Sequence, residues 1–453
     1  MSKTKLSRRH FFFGSLLAGA VPTGGFGAVK SLSKLGYKSP NEKLNVAAIG
    51  SGGKGRSDIQ GIMPTENIVA LCDVDEKSAE WAFKTFPNAP RYKDFRVMLD
   101  KEMKNIDAVT VSVPDHMHGT AAMWAMARGK HVYCQKPLTR TVWEAQELMK
   151  AAQEHGVATQ MGNQGYSNEG AREAAEILWS GAIGDVKELH AWTNRPGPYW
   201  VQGPDVVPQP APVPATLDWE AWLGGSEERE YSPAFVPRKW RGYPEYGCGA
   251  IGDMACHIMG TPNMALQLST VAPIAVECIK QEGKAKYTYP RASIIRFDFP
   301  ARGAMPPVSV FWHDGLNAMP EFPGVPAGEM LGDSDINGSL FMGGKGMMTT
   351  GCYGERTRLV PTAKMADFEM PAPFLTRSPG HYHDWIRACK GGDPACSNFN
   401  VSAPFVSWML LGVIAMKFEG KLKWDGAKMQ FTNNKAANEY LKPKFRKGWK
   451  FAG

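Results

Sequence analysis

Short apolar runs alternate with helix-compatible stretches between residues 44 and 164. The first run, 44–49, is followed by a glycine-rich turn and by a stretch that suits a helix to about Met63. The same spacing predicts further elements, with strands at 68–72, 107–112, 131–134 and 157–161 and helices at 119–128 and 142–154. Strict alternation of strand and helix is typical of a parallel, doubly wound sheet, an α/β fold that binds ligands beyond the carboxyl ends of its strands.

A different pattern follows past the middle of the chain. Apolar and polar positions alternate in 293–299 and 307–312, which predicts antiparallel strands of a second sheet. We therefore expect two domains: a nucleotide-binding domain over 44–164 and, over 165–453, an α+β domain with a large, mainly antiparallel sheet. The remaining long apolar run, 403–416, is shorter than the roughly 20 residues that cross a bilayer and predicts a buried helix.

A proline-rich segment lies between these two patterns. Seven prolines occur from Pro196 to Pro214, beside Tyr199 and Trp200. Because proline lacks a backbone N–H, this density excludes a helix or a central strand. The segment is therefore either a loop over the functional site or an arm that embraces a neighbouring subunit.

The positive charge of the chain is concentrated at its start. The formal net charge is +8, and seven lysines and arginines precede the first acid, Glu42. The remainder is nearly neutral and carries no basic helix or known reader motif, so nucleic acid is not expected as a partner. A second basic cluster near the end predicts a solvated tail, comprising Lys442, Lys444, Arg446, Lys447 and Lys450.

The first 28 residues have the pattern of an export signal. Arg8 and Arg9 precede an apolar run too short to span a bilayer, and small residues follow at 24–28. Twin arginines before a modest apolar stretch resemble a Tat signal, with an ordinary Sec signal or an uncleaved anchor as alternatives. We expect a signal peptide over 1–28, a linker over 29–43, a periplasmic or otherwise exported location, and no membrane span after cleavage.

The glycine-rich turn carries the first candidate chemistry. Gly50-Ser51-Gly52-Gly53-Lys54-Gly55 joins the first strand to the first helix and fits G-x-G-x-x-G. Gly50 would permit the tight turn, Gly52 and Gly53 the approach of a pyrophosphate, and Gly55 the close packing of helix on strand. The helix N-terminus supplies unpaired N–H groups to the phosphates. The turn predicts a bound dinucleotide.

An acid completes the dinucleotide pattern. Asp73 ends the second strand, where an acidic residue typically binds the adenosine ribose. Its carboxylate would accept hydrogen bonds from the ribose hydroxyls and repel a 2′-phosphate, which favours NAD over NADP as the cofactor. Lys54 and Arg56 leave NADP open, since either could neutralise such a phosphate.

Two further motifs directly follow the strands predicted at 107–112 and 131–134. They are Val113-Pro114-Asp115-His116-Met117-His118 and Gln135-Lys136-Pro137. With the glycine-rich turn they resemble the Gfo/Idh/MocA family, which includes glucose–fructose oxidoreductase and inositol dehydrogenase and carries (T/V)-P-x-x-x-H and E-K-P at these places. Pro114 and His118 match the first motif, and Lys136 and Pro137 match the second. Gln135 replaces the usual glutamate.

The resemblance implies a catalytic site shared by the two domains. The family carries a D-x-x-x-H helix in its second domain, and Asp253 and His257 match it, on one helix face. Oxidation of a secondary alcohol needs a base and a group that stabilises the alkoxide, roles that we assign to His257 and Lys136. Asp253 would orient the substrate or the imidazole. The other expected NAD contacts are Pro114, His118, Asn163 and Lys136 itself.

Aromatic rings and polar donors surround the proline-rich segment. Such side chains suit a sugar ring, so we expect a carbohydrate substrate. The residues expected to bind it are Asn194, Arg195, Trp240 and Arg241. In this family the second sheet commonly forms a subunit interface, and a homo-oligomer, a dimer or a tetramer, is therefore expected.

Metal and thiol chemistry are weaker alternatives. Zinc could be bound by His381, His383 and Asp384, or by Asp253 and His257, but no further ligand follows at a spacing typical of zinc, and no metal is expected. The eight cysteines contain no C-x-x-C pair. Cys389 and Cys396 are either free or joined in a disulfide.

Three functions remain open at this point. The first is an exported NAD-dependent oxidoreductase that acts on a sugar or glycoside hydroxyl. The second is a glycoside hydrolase that uses bound NAD to oxidise C3 transiently, so that elimination can follow; relatives of that kind tend to lack the lysine of E-K-P, which is present here as Lys136. The third is a sugar-binding protein that retains only the fold.

Overall fold

The first half of the described chain alternates strands and helices, as its apolar pattern predicts. The computed structural model describes residues 42–452 except 206, 284 and 335, so the expected export signal lies outside the described residues. The strands are β1 (Asn45–Ile49), β2 (Asn67–Cys72), β3 (Arg91–Tyr92), β4 (Ala108–Val111), β5 (His131–Cys134) and β6 (Thr159–Met161). The helices are α1 (Gly53–Ile62), α2 (Glu76–Thr85), α3 (Phe95–Lys101), α4 (Asp115–Met126) and α5 (Val142–Glu154).

These strands form one parallel sheet in the order β3-β2-β1-β4-β5-β6. The predicted doubly wound fold is confirmed. The strand order reverses between β1 and β4, and a ligand-binding crevice is expected outside the carboxyl ends of the strands at that point. The two sides of this crevice are therefore β2 and β3 on one hand and β4 and β5 on the other.

Helix boundaries follow local capping. The helix predicted at 142–154 is confirmed as α5, because Thr141 and Glu144 form a reciprocal capping box at its start. The helix predicted at 119–128 is instead α4, Asp115–Met126. Pro114 precedes its first turn with φ −62°, and Asp115 places a negative charge at its N-terminus, so the helix begins within the motif that was expected to precede it.

Among the described residues, nine strands form the second sheet. They are β7 (Val186–Thr193), β8 (Ala275–Glu282), β9 (Ala292–Phe299), β10 (Val308–Asp314), β11 (Asn337–Gly343), β12 (Gly346–Thr350), β13 (Arg358–Val360), β14 (Leu422–Asp425) and β15 (Gln430–Phe431). Their order is β13-β12-β11-β7-β10-β9-β8-β14-β15, and only the β7–β10 pair is parallel. The mainly antiparallel sheet is confirmed, although the sequence reasoning missed its central strand, β7.

The helices of the second half are α6 (Glu169–Trp179), α7 (Trp219–Leu223), α8 (Gly249–Ile258), α9 (Gly260–Ala265), α10 (His381–Cys389) and α11 (Phe399–Ala415). Of these, α8 packs against β7, β10 and β11, and α11 packs against β8 and β9. Short 3-10 helices span Gln164–Ser167, Lys239–Gly242, Leu268–Thr270, Thr362–Ala366 and Ala436–Tyr440. The apolar run at 403–416 lies in α11 and is almost wholly buried, as predicted. In the part of the chain that the structure describes, no helix has both the length and the apolar character to cross a membrane.

Segments beyond residue 164 also complete the first domain. Trp385, Ile386 and Cys389 of α10 pack against Leu44 and Tyr133 beneath the parallel sheet. The end of the chain does the same on the other side, where Phe451 is buried and Phe445 and Trp449 pack against the main core. The prediction of a solvated basic tail was therefore wrong in part, because the aromatic residues between the lysines anchor it.

Candidate active site

A cleft of about 810 Å³ opens at the carboxyl ends of the parallel strands. We call its two sides the cofactor end and the substrate end. The cofactor end lies beyond β1, β2 and β3 and includes the glycine-rich turn, Asp73, Asp94 and Phe95. The substrate end lies beyond β5 and is completed by the second domain; it comprises Asp115, Lys136, Arg195, Arg238, Trp240, Arg241, Asp253, His257 and Tyr353. Tyr199 and Trp200 of the proline-rich segment also line the cleft, so the start of that segment borders the site.

The glycine-rich turn forms a cradle that side chains would fill. Gly50 has φ +83°, and a Cβ there would lie 2.4 Å from the carbonyl oxygen of Ser112. A Cβ on Gly55 would lie 1.9 Å from the carbonyl oxygen of Gly50, as close helix–strand packing requires. Gly53, with φ +48°, faces open space at the start of α1, whose N-terminus has no side-chain cap. The free N–H groups there fit a phosphate.

Gly52 lines the cleft and also packs against α2. A Cβ on Gly52 would lie 2.1 Å from Oγ of Ser78, so this packing excludes a side chain even without a ligand. Its N–H donates to Oδ2 of Asp73 at 2.9 Å, as does the N–H of Ser51 at 2.8 Å. The acid predicted to bind ribose therefore also fixes the turn. Burial raises the pKa of Asp73, although three backbone N–H groups oppose the shift.

The replacement of glutamate by Gln135 has a clear cause in Asp58. The Gln135 Nε2 donates to both carboxylate oxygens of Asp58 at 3.0 Å. Asp58 is fully buried in α1 and also accepts hydrogen bonds from Ser112 Oγ at 2.7 Å and Tyr382 OH at 2.8 Å. A glutamate at 135 would face that carboxylate, whereas the amide donates to it. We call this group the Asp58 network.

The two cations that left the choice between NAD and NADP open have partners of their own. The Lys54 Nζ lies 2.5 Å from Oδ1 of Asp58 in the Asp58 network. The Arg56 guanidinium stacks 4.8 Å from the ring centre of Trp81 and does not line the cleft. Both arrangements favour NAD at the cofactor end.

His118 links the start of α4 to the loop that carries Lys136. The ring nitrogens of His118 lie 2.6 Å and 2.7 Å from the carbonyl oxygens of Pro137 and Val113. His118 and Pro114 both line the cleft, and their expected contacts with NAD stay predictions.

Lys136 and Asp253 meet across the domain boundary, as the resemblance implies. The Lys136 Nζ donates to the backbone oxygen of Asp253 at 2.6 Å and to its Oδ1 at 2.9 Å. The Arg241 Nε donates to the same Oδ1 at 3.0 Å. Burial would raise the pKa of Asp253, but the charges of Lys136 and Arg241 outweigh it and hold that pKa well below its usual range. Asp253 is therefore a carboxylate at neutral pH.

His257 lies one helical turn from Asp253 on α8, and its side chain lines the cleft. Its ring centre is 4.7 Å from that of Tyr353, and its Nδ1 is buried with no hydrogen-bond partner among the described residues. Burial, followed by the charge of Lys136, lowers the pKa of His257 well below its usual value. The imidazole is therefore neutral and can accept a proton.

Asp115 is a site residue that sequence reasoning missed. It lines the cleft, and its Oδ2 accepts the N–H of Cys248, the residue that precedes α8. This bond joins the first turn of α4 to the helix that carries Asp253 and His257. Burial raises the pKa of Asp115 to about 7, against the charges of Arg241 and Lys136. The sequence signal that could have identified Asp115 is its place beside Pro114 in the motif.

The remaining predicted residues divide into two groups. Arg195, Trp240 and Arg241 line the cleft, in agreement with a substrate role, whereas Asn194 does not. Asn163 is also absent from the cleft wall, since its Oδ1 accepts from Ser397 Oγ at 2.7 Å in the interior. The next residue, Gln164, lines the cleft in its place. Tyr353 and Arg238 belong to no motif and were not predicted.

The described residues offer no alternative metal or disulfide chemistry. In the described parts of the chain, no group of three or more His, Cys, Asp or Glu side chains could hold a metal ion. His381 is engaged inside the protein, with its ring nitrogens 2.6 Å from Ser167 Oγ and 3.0 Å from the carbonyl oxygen of Met161. Cys389 and Cys396, like the other six cysteines, are free thiols.

Two family models match the chain in the order of its domains. One describes an oxidoreductase family with an NAD-binding Rossmann fold and matches residues 44–163. The other describes the C-terminal alpha/beta domain of the same family and matches residues 191–298. Together they span about half of the chain, which therefore belongs to the Gfo/Idh/MocA oxidoreductase family and carries an NAD-binding Rossmann domain.

The curated relatives match about a third of the chain. A glycosyl hydrolase family 109 protein of Solibacter usitatus is 32% identical over 157 residues, 31% of this chain and 35% of the relative. An inositol 2-dehydrogenase of Burkholderia multivorans is 31% identical over 152 residues, 32% of this chain and 44% of the relative. The chain thus spans less than half the length of either relative.

Solved structures share the whole fold at low identity. The WlbA dehydrogenase of Bordetella pertussis, in complex with NADH and UDP-GlcNAcA, has a TM-score of 0.59 at 14% identity and covers 85% of this chain and 99% of its own. A levoglucosan dehydrogenase in complex with NADH and levoglucosan has a TM-score of 0.55 at 17% identity, over 84% of this chain and 99% of its own. These similarities establish the two-domain architecture.

Proposed function

We propose that this protein is an exported NAD-dependent oxidoreductase that transfers a hydride between a secondary hydroxyl or keto group of a sugar or glycoside and a tightly bound nicotinamide cofactor. The observation that carries the proposal is the meeting of Lys136, Asp253 and His257 in one cleft with the glycine-rich turn. The sugar dehydrogenases among the structural neighbours support the substrate class.

The chemistry of the chain's own residues follows from these contacts. Lys136 has three ammonium hydrogens, of which two point to Asp253; the third can donate to a substrate oxygen and stabilise an alkoxide. His257 is neutral and would take the hydroxyl proton, and as an imidazolium would return it in the reverse direction. Asp253 holds the lysine in place. The nicotinamide ring, when bound, accepts or returns the hydride.

Two segments cover the cofactor end and favour retention of the cofactor. The first runs from 216 to 222, where the N–H of Asp218 donates to the carbonyl oxygen of Val74 at 2.8 Å. The second is the end of the chain, 445–451. Leu217 and Trp222 of the first segment and Trp449 of the second line the cleft. We call these two segments the cover.

The cover is held together by its own contacts. The Arg446 Nη1 lies 2.5 Å from Glu220 Oε1, which joins the two segments. The Trp449 ring lies 6.2 Å from that of Phe95, and the Arg96 guanidinium stacks on it at 4.0 Å. A bound dinucleotide would have to displace these contacts to leave.

A cofactor that stays bound must be reoxidised in place. A second sugar or another acceptor must then take the hydride back, which gives ping-pong kinetics.

The proposal is tested by the cofactor content of the purified protein. Protein isolated without added NAD is denatured, and the supernatant is assayed for NAD(H). Near-stoichiometric release is expected. A vacant protein that needs millimolar NAD for activity would contradict tight binding.

A glycoside hydrolase that uses bound NAD is the second candidate, because one relative is a family 109 glycosyl hydrolase. Lys136 favours net redox chemistry over this alternative. A panel of nitrophenyl glycosides separates them, since a hydrolase releases nitrophenol and an oxidoreductase forms a keto sugar. A protein that only binds sugars does neither.

Export and self-association complete the proposal. Replacement of Arg8 and Arg9 by lysine should retain the precursor in the cytoplasm if a Tat signal operates, and cell fractionation measures this.

We also propose a homo-oligomer formed through the outer face of the second sheet, where the rings of His190 and Phe311 stack at 4.7 Å. Light scattering tests it, and a monomeric mass at micromolar concentration would contradict it.

A further inference from the structure

The substrate end of the cleft carries more positive than negative side chains. Its cations are Lys136, Arg195, Arg238 and Arg241, and we call them the cationic cluster. Its carboxylates are Asp115 and Asp253. Asp253 is already shared by Lys136 at 2.9 Å and Arg241 at 3.0 Å. Among the described residues, no carboxylate lies within ion-pair distance of Arg195 or Arg238.

Arg195 is the best-positioned of the unpaired cations. It follows β7, and its backbone is fixed on both sides: its N–H donates to Thr193 Oγ1 at 3.3 Å and its carbonyl accepts from Gly315 at 2.8 Å. The guanidinium carbon lies 3.3 Å from the ring centre of Tyr199. Stacking covers the guanidinium face but leaves its N–H edge free to donate.

The charge of Arg195 acts on the catalytic carboxylate. Burial raises the pKa of Asp253, and the charge of Arg195 lowers it, after those of Lys136 and Arg241. Arg195 therefore lies near Asp253, although it makes no ion pair with it. Arg195 and Lys136 line the same cleft.

Arg238 and Arg241 extend this surface. They flank Trp240 on the Lys239–Gly242 turn, and the Arg241 guanidinium stacks on the Trp240 ring at 4.3 Å. Arg241 uses its Nε for Asp253, and its Nη1 has only a 3.5 Å contact with the carbonyl oxygen of Arg238. The Nη2 of Arg241 is thus left for a ligand, and the Arg238 side chain, exposed at the cleft, makes no ion pair among the described residues. A neutral sugar hydroxyl would satisfy them poorly, whereas an anionic oxygen matches their charge and fork geometry.

We propose that the sugar substrate carries an anionic group, a carboxylate or a phosphate, which Arg195 and Arg238 bind while Lys136 donates a hydrogen bond to the reacting hydroxyl. This inference rests on the proposed function and specifies its substrate class. Hydrogen bonds to a charged acceptor are stronger than those to a neutral one, so an acidic sugar should exceed its neutral analogue by about 10–100-fold in kcat/KM.

The test compares matched sugars on the holoenzyme. A hexuronic acid glycoside, its methyl ester, the parent hexoside and the hexose 6-phosphate are assayed for keto-sugar formation, and their binding is measured by calorimetry. The acid should exceed its ester if the group is a carboxylate, and the phosphate should exceed the hexoside if it is a phosphate. Raising the salt concentration should reduce either preference.

Variants then locate the preference. Arg195→Gln and Arg238→Gln should each move the ratio of acid to ester toward one, by about 10-fold for Arg195. Arg91→Gln is the matched control, because Arg91 also stacks on an aromatic ring, that of Phe83 at 4.7 Å, but lies outside the cleft. The control should leave the ratio unchanged.

The outcomes separate this inference from the proposed function. Equal kcat/KM for acidic and neutral sugars, or a preference that survives both arginine variants, would overturn the inference and leave the oxidoreductase intact. Arginine-dependent binding of the acid without keto-sugar formation would support the anion site and refute the redox function. If no sugar of the panel binds or reacts, both are wrong.

Discussion

The cofactor end and the substrate end of the cleft are built in different ways. Apart from the cover, the cofactor end consists largely of the glycine-rich turn and the acids Asp73 and Asp94, which follow strands β1, β2 and β3. The substrate end consists of charged side chains from widely separated parts of the chain, among them Lys136, Arg195 and Asp253. A fixed backbone suits a constant ligand such as NAD, whereas side chains can be exchanged to suit a particular sugar.

The largest effect is expected from a substitution at the substrate end. Lys136→Met should lower kcat by about 10²–10³, because it removes the group that stabilises the alkoxide. NAD(H) content after denaturation should remain that of the wild type, since the cofactor end is not altered. Near-normal turnover would contradict the assigned role. A loss of both NAD(H) and native circular dichroism would show instead that the Lys136–Asp253 pair is needed for folding.

A second prediction concerns the support of the cofactor end. Gln135→Glu restores the residue usual in E-K-P but places a carboxylate against buried Asp58. The free energy of unfolding should fall by about 1–3 kcal/mol, measured by urea denaturation at neutral pH. Asp58→Asn in the same chain should recover part of this loss, since an amide and a carboxylate again face each other. Equal stability of Gln135→Glu and wild type would refute the explanation given for Gln135.

The difference in construction also explains what sequence could predict. Gly50, Gly55 and Asp73 act within one continuous strand–turn–helix–strand unit, so their spacing alone identified them. Asp253 and His257 were found because they match the D-x-x-x-H motif of the family, whose two side chains share one helix face. Arg238 and Tyr353 could not be found, since only the packing of the second domain brings them to the cleft.

Single residues inside motifs were harder to assign. Asn163 occupies the expected position but lies outside the cleft wall: its Oδ1 accepts from Ser397 Oγ, and its Nδ2 is buried without a partner among the described residues. His118 lines the cleft, but its ring nitrogens contact the carbonyl oxygens of Pro137 and Val113. A motif fixes the position of a residue along the chain. The neighbours that compete for its hydrogen bonds come from other segments.

A third prediction tests the cover over the cofactor end. Trp449→Ala removes the ring that packs on Phe95 and should speed NAD(H) release by about 10-fold. Release is followed by trapping the free cofactor with a second dehydrogenase. Lys450→Ala, an exposed neighbour in the same segment, is the control and should release NAD(H) at the wild-type rate. Equal rates for the two variants would contradict a retaining role.

The smallest expected effect concerns pH at the substrate end. Burial raises the pKa of Asp115 to about 7, against Arg241, Lys136 and the Cys248 N–H, so the carboxyl is neutral at pH 6 and negative at pH 8. The added negative charge opposes the cationic cluster, and KM for an acidic sugar should rise a few-fold across this interval.

Asp115→Asn keeps the acceptor for Cys248 but cannot ionise, and should make KM independent of pH over the same interval. His257 should not contribute to this transition, because its buried imidazole is already neutral. An unchanged pH dependence in Asp115→Asn would show that another group causes it.

A single-turnover experiment tests directly whether the protein transfers a hydride between a sugar and its bound cofactor. Protein purified without added cofactor is mixed with a reactive sugar, and the absorbance of reduced nicotinamide is followed together with the formation of keto sugar in a single turnover. We expect reduced nicotinamide and keto sugar to form together, in amounts equal to the enzyme, and the absorbance to fall again when a keto acceptor is added. An absorbance that never changes while a reporter glycoside is cleaved, or while no product forms, would contradict it.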